Sequence, residues 1–141
     1  MDYCQRLLVE SSIKWVFLSF AATRRLPFGL EDRRIPDSAL SASSRWDEYH
    51  GPHRGRLNTQ RQGRYRGAWA SRVNNRKQWI QIDLGTRAAL YGIATQGRQD
   101  AGQWVKAYKV MYSRSGVRWT WYQVRRRIVV REIWIYVRNT G

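Results

Sequence analysis

Three observations predict an all-β fold. Short strand-like runs recur between turn signals, residues 78–84 alternate apolar with polar, and no helical periodicity runs through residues 46–77. Short strands at this spacing argue a sandwich or a barrel. The chain has 141 residues and is 43% hydrophobic. That is the length of one domain, and folding at this size removes roughly two thirds of the unfolded surface from water. A mean hydropathy of -0.67 and the lack of any long apolar run exclude a multi-span helical membrane protein. The single Cys4 excludes a disulfide framework and a thiolate metal site.

The elements follow in order. Trp15 to Ala22 is an apolar run too short to span a bilayer. It reads as the apolar core of a secretory signal or as a loosely packed N-terminal extension. Asp2 and Glu10 put acid where a signal carries positive charge. Pro27, Gly29 and Pro36-Asp37-Ser38 are turn chemistry, and Ala39 to Ser44 reads as a short strand. Gly51-Pro52, Gly55, Gly63 and Gly67 punctuate a loop-rich stretch. In Gln78 to Leu84 one face carries Ile80, Ile82 and Leu84, and the other Trp79, Gln81 and Asp83. Gly85 is expected to end that strand. Tyr91 to Gln96 and Tyr108 to Ser113 are further strands. Ser115-Gly116 turns the chain into Val117 to Tyr122, and Ile128 to Val137 is a last β-rich run.

Charge is strongly asymmetric. Twenty-six Lys and Arg face ten Asp and Glu, a formal net charge of +16. The lysines are Lys14, Lys77, Lys106 and Lys109; all other cations are arginine, whose planar fork suits phosphate, sulfate and carboxylate. The arginines are scattered rather than clustered, so a solvated surface with non-specific affinity for polyanions is the plain alternative.

Several segments in order carry a resemblance. Leu26-Pro27-Phe28-Gly29-Leu30-Glu31-Asp32, Ile35 to Ser44, Arg56-Leu57-Asn58 and Ala68-Trp69 form its first part. Trp79 to Gly85, Thr95 to Asp100, Tyr108-Lys109-Val110, Tyr112-Ser113 and Gly116 to Trp119 complete it. Together they resemble the discoidin domain, the coagulation-factor type C module. The resemblance implies an antiparallel jelly-roll sandwich of eight strands, extracellular and non-catalytic. It further implies binding of anionic phospholipid, cell-surface glycan or an extracellular matrix protein through loops at one end. Those loops fall on Trp46 to Arg54, Gln60 to Ala68 and Gly97 to Trp104. The chain then divides into an N-terminal extension or signal segment (1–25), a discoidin-like sandwich (26–122) and an aberrant C-terminal strand segment (123–141). The family's closing cysteine pair is missing and residues after Tyr122 match poorly, so an incomplete sandwich is expected.

Candidate ligand residues follow from side-chain chemistry. Trp46, Tyr49 and Tyr65 offer rings for a bilayer interface or a sugar face. Asp47 suits hydroxyls, and its loop carries His50 and His53, expected as an exposed neutral pair rather than a metal site. Arg61 and Arg64 form, with Tyr65 and Arg66, a basic-aromatic anchor for headgroups or sulfated glycan. Arg98, Gln99, Asp100 and Trp104 make a third candidate, set against an internal Arg98–Asp100 ion pair holding the loop. Trp79, Trp119, Trp121 and Trp134 are expected in the core. No Gly-x-Ser-x-Gly and no phosphate-cradling glycine loop is present, and Asp47 and Glu48 are adjacent, poor geometry for an acid–base pair. The expectation is therefore a non-enzymatic module without cofactor or metal, with a glycan or an anionic lipid surface as partner. A structural piece of a larger adhesion protein without its own ligand is the alternative, and nucleic acid the least favoured partner despite the basic charge.

Overall fold

A computed structural model describes residues 15–21, 24–27, 29–105, 107–122 and 128–138. Among the described residues the strands are β1 (Trp15–Ala21), β2 (Arg24–Pro27), β3 (Leu40–Ala42), β4 (Gln78–Thr95), β5 (Ala107–Ser113), β6 (Trp119–Trp121) and β7 (Ile128–Arg138), with short 3-10 turns between β2 and β4. All pairings are antiparallel, in the order β2-β1-β4-β7-β5-β6, with β3 also on β4. The architecture is the all-β sandwich expected from the sequence.

β4 organises the rest. β3 pairs its residues 80–82 and β1 its residues 90–95, while β7 pairs both regions from the other edge. Ile80, Ile82, Leu84 and Ala88 are buried, as the alternation required. Leu30, Ile35, Leu40, Trp69 and Val105 close over them, with Tyr108, Val110 and Tyr112 packed against the cluster.

Several expectations are corrected. Gly85 does not end a strand. Its φ of 69° lies within one continuous strand, and its N–H donates to the Asp83 carboxylate at 2.8 Å. Between Asp83 and Ala88 the register takes five steps along β4 for two along β7. That is a bulge, which glycine accommodates because no Cβ opposes the left-handed backbone. The strand expected over 39–44 is shorter: a 3-10 turn at Asp37–Ala39 leads into β3. β1 lies within the run read as a signal segment or N-terminal extension; a short apolar run is compatible with a paired strand. Residues 1–14, Cys4 and Lys14 among them, lie outside the described residues. The segment regarded as aberrant contributes β7, which lies between β4 and β5.

The tryptophan assignment also changes. Trp69 is buried, and its Nε1–H donates to the Ser44 carbonyl at 2.9 Å. Trp79 and Trp119 are half-buried and Trp121 is exposed: Trp79 lies on the face of β4 opposite Ile80 and Ile82, and Trp119 and Trp121 lie on the short edge strand β6. The side chain of Trp134 lies outside those described.

One charged side chain sits inside this frame. Arg56 is 2% exposed. Its guanidinium donates to the Leu30 carbonyl at 2.7 Å and to the Asp37 carboxylate. Every face of the fork meets an acceptor, so the desolvated charge is compensated where it lies.

Ile82→Ala should lower stability by about 2–5 kcal/mol, read as an earlier urea midpoint at unchanged slope. Gly85→Ala should cost about 1–2 kcal/mol from the backbone alone, since nothing lies within 4 Å of the added Cβ; a midpoint equal to wild type would show that the bulge relaxes.

Candidate ligand-binding loops

The three loop segments form one hydrogen-bonded unit. The first is built on two 3-10 turns, Glu48–His50 and Pro52–Gly55. Asp47 caps the first turn by accepting from the Tyr49 N–H at 2.8 Å, and its carboxylate lies 2.6 Å from His50 Nδ1. Desolvation would raise the Asp47 pKa, but the His50 and Tyr49 bonds outweigh it and hold the carboxyl below its usual value. His50 is buried by this contact. Burial pushes the half-buried His53 below the ordinary histidine value. The expected pair of exposed histidines is thus absent, because one ring is part of the turn's internal wiring.

The second segment docks on the first. The Arg66 N–H donates to the Tyr49 carbonyl at 3.1 Å, and Gln62 and Tyr65 exchange backbone bonds around Gly63. The Tyr65 ring meets Tyr49 edge-on at 5.7 Å between centroids, and His53 at 6.3 Å. Arg64 donates to the Tyr49 hydroxyl at 3.4 Å. Beneath them lies Arg54, buried, with Nε on the Arg66 carbonyl and Nη2 on the Gln60 carbonyl, each at 2.6 Å. Its guanidinium carbon is 5.9 Å from the Tyr65 ring centroid. Sequence reasoning missed Arg54. An arginine in a basic loop reads as solvated, and nothing local signals that facing carbonyls will enclose it.

The third segment locks through Asp100. Arg98 donates Nε and Nη2 to its two carboxylate oxygens at 2.7 and 3.1 Å, and both side chains are under a tenth exposed. Arg98 Nη1 also reaches Gln103 Oε1 at 2.7 Å. Asp100 Oδ1 accepts from the Gly67 N–H at 3.1 Å, tying this loop to the second. The Arg98 hydrogen bonds dominate and bring the Asp100 pKa down to about 2, against the desolvation that would raise it. Of the two readings of Arg98, a fork for an anion or an internal ion pair holding the loop, the geometry matches the internal pair. Trp104 is half-buried, with its Nε1 enclosed and unbonded.

What faces solvent is a smaller set. Trp46 is 65% and Tyr65 47% exposed, and Arg61, Arg64 and Gln99 are exposed beside them. Arg61 is positioned by Nε on the Gly63 carbonyl at 3.2 Å and by its N–H on Gln99 Oε1 at 3.4 Å. Tyr49 is half-buried between the two loops.

Asp100→Asn should loosen all three loops at once. Because the folded pKa lies below the unfolded value of 3.8, the wild-type carboxylate contributes its stability above about pH 4 and loses it as pH falls toward 2. The shift corresponds to about 2 kcal/mol. Thermal melts of wild type and variant should differ at neutral pH and converge near pH 2; an equal difference at both would remove the carboxylate from the account.

Compared with known proteins, residues 39–133 match the F5/8 type C domain model. Lactadherin of Mus musculus is 44% identical over 105 residues, covering 69% of this chain and 22% of its own length. Hemocytin of Bombyx mori is 41% identical over 85 residues, 60% of this chain and 3% of its own. Coagulation factor V of Mus musculus is 40% identical over 109 residues, 73% and 5% respectively. The chain thus spans less than a quarter of each of these relatives. Among solved structures, recombinant discoidin II of Dictyostelium discoideum superposes with a TM-score of 0.64 at 24% identity, over 71% of this chain and 49% of that one.

Proposed function

This chain belongs to the F5/8 type C domain family, and on that premise we propose that it is a non-catalytic extracellular recognition module. It takes anionic phospholipid headgroups or cell-surface glycans on the joined loops. The single observation that supports this reading is the division of labour within them. Arg54, Arg98, Asp100, Asp47 and His50 are engaged internally, which leaves a platform whose outward groups are two rings and two exposed cations. Trp46 and Tyr65 supply contact area at little cost in side-chain entropy. Arg61 and Arg64 supply attraction, strengthened at long range by the net charge of +16. Gln99 adds hydrogen bonding at the rim. In this reading Arg98, Asp100, Asp47 and His50 are positioning residues, and Trp104 supports the third loop.

A second reading is a structural segment of a larger adhesion protein. It is favoured by the small share of each relative that the chain spans. A chain that melts cooperatively yet binds nothing would support it.

The test is co-sedimentation with phosphatidylserine-containing vesicles beside phosphatidylcholine vesicles, and heparin chromatography in parallel, each at low and high salt. Arg61→Ala with Arg64→Ala should weaken binding by about 10–30-fold, at about 1 kcal/mol per cation near an anionic surface, and flatten the salt dependence. Trp46→Ala should weaken it without altering the salt response. Binding that ignores both substitutions would reject the loops as the contact, and preference for single-stranded nucleic acid over heparin would reassign the partner.

A further inference from the structure

A second amphipathic surface lies away from the loops. β5 begins at Ala107, directly after the third loop, and ends at Ser113. The turn from Ser113 to Trp119 therefore projects from the other end of that strand, about 20 Å away at the usual rise per residue. The turn is well ordered by its own chemistry. Ser113 is buried, and its hydroxyl accepts from the N–H groups of Ser115 at 3.2 Å and Gly116 at 2.8 Å. Gly116 takes a φ of 76° that few other residues tolerate. At the tip Val117 is 82% exposed, between the exposed Arg114 and Arg118. Behind it Trp121 is exposed on the outermost strand and Tyr122 is exposed just after it, and the Lys109 ammonium lies 5.5 Å from the Trp121 ring centroid.

Charge on an edge strand is an ordinary defence against unwanted pairing. That defence asks for Arg114, Arg118 and Lys109, but not for an apolar tip or two aromatic rings between them. The exposed Arg87 of the β4 bulge adds a cation at this level of the sheet. By backbone register Asp83 and Glu132 share the row of Ser113, at the base of the turn. The Asp83 side chain is engaged by the Gly85 N–H.

We infer that the Ser113–Trp119 turn is a second membrane contact, which seats Val117 in the interface of an anionic bilayer while Arg114 and Arg118 meet its headgroups. Charge complementarity selects this occupant over a second copy of the chain, whose own turn would repel it. Aromatic and basic residues around an apolar tip are the usual composition of an interfacial anchor. With contacts at opposite ends of β5, one molecule holds two surfaces together. The inference does not depend on which polyanion the loops take.

The test uses the full chain, with Val117→Cys in a Cys4→Ser background, labelled with an environment-sensitive dye. Emission should shift to the blue with phosphatidylserine-containing vesicles and stay put with phosphatidylcholine alone. The shift should persist when the loops are disabled by Trp46→Ala, Arg61→Glu and Arg64→Glu. In that loop-disabled chain, Arg114→Gln with Arg118→Gln should reduce vesicle binding by about 30-fold, and Arg114→Lys with Arg118→Lys should retain it. With intact loops, the glutamine pair should abolish vesicle clustering seen by light scattering while leaving single-vesicle binding in place. No shift on vesicles that the chain sediments with, or a shift that vanishes with the loop substitutions, overturns the inference and leaves the loop reading standing. A persistent shift in a chain whose loop substitutions change nothing else supports it while removing the loops as a lipid contact.

Discussion

The buried guanidinium is the interaction on which the loop end of this molecule depends. Arg54, Arg56 and Arg98 each leave the surface and find acceptors arranged to match a planar fork. Arg54 meets backbone carbonyls, Arg56 a carbonyl and a carboxylate, and Arg98 a carboxylate and a side-chain amide. A lysine could fill none of these places, since its three donors radiate from one point. This gives a physical account of part of the arginine excess. Some of the positive charge counted in the sequence is wiring, and only the remainder is available to a partner.

This wiring also explains why loops with so little regular structure hold a shape. Irregular segments carry backbone groups that no ladder satisfies. Here the Gln60, Arg66 and Leu30 carbonyls and the Gly67 N–H are met by charged side chains from distant positions. Charge-assisted bonds of this kind are stronger than neutral ones. The contacts run from the first loop to the second and from the second to the third, so the loops move or stay together.

The sandwich was legible in the sequence because alternation at Ile80, Ile82 and Leu84 has only one reading on a half-buried strand. The positions of the three loops were legible through the family resemblance carried by the motifs around them. Other features were hidden for definite reasons. Gly85 stops a strand or bulges it with the same backbone angles, and only the partner strand decides which. The side chains of Arg98 and Asp100 sit two residues apart, a spacing that serves an internal clamp or a ligand fork equally; only the folded structure shows both buried against each other. His50 read as exposed because its neighbours are polar, although its acceptor was three residues away. Trp46 and Trp69 differ in nothing that composition reveals; one caps the core and the other faces water.

The position of β7 has a consequence for the birth of the molecule. Among the described strands it comes last in the sequence, yet it separates β4 from β5 and pairs with both along most of its length. A polypeptide emerging from the ribosome N-terminus first therefore displays β4 and the β5–β6 hairpin without the strand that joins them. Their mutual edges stay open until residues 128–138 arrive, and such long-range closure is slow. Synthesis of this domain thus includes an interval in which two adhesive half-sheets wait for a late insertion, and holdase chaperones would find their substrate in that interval.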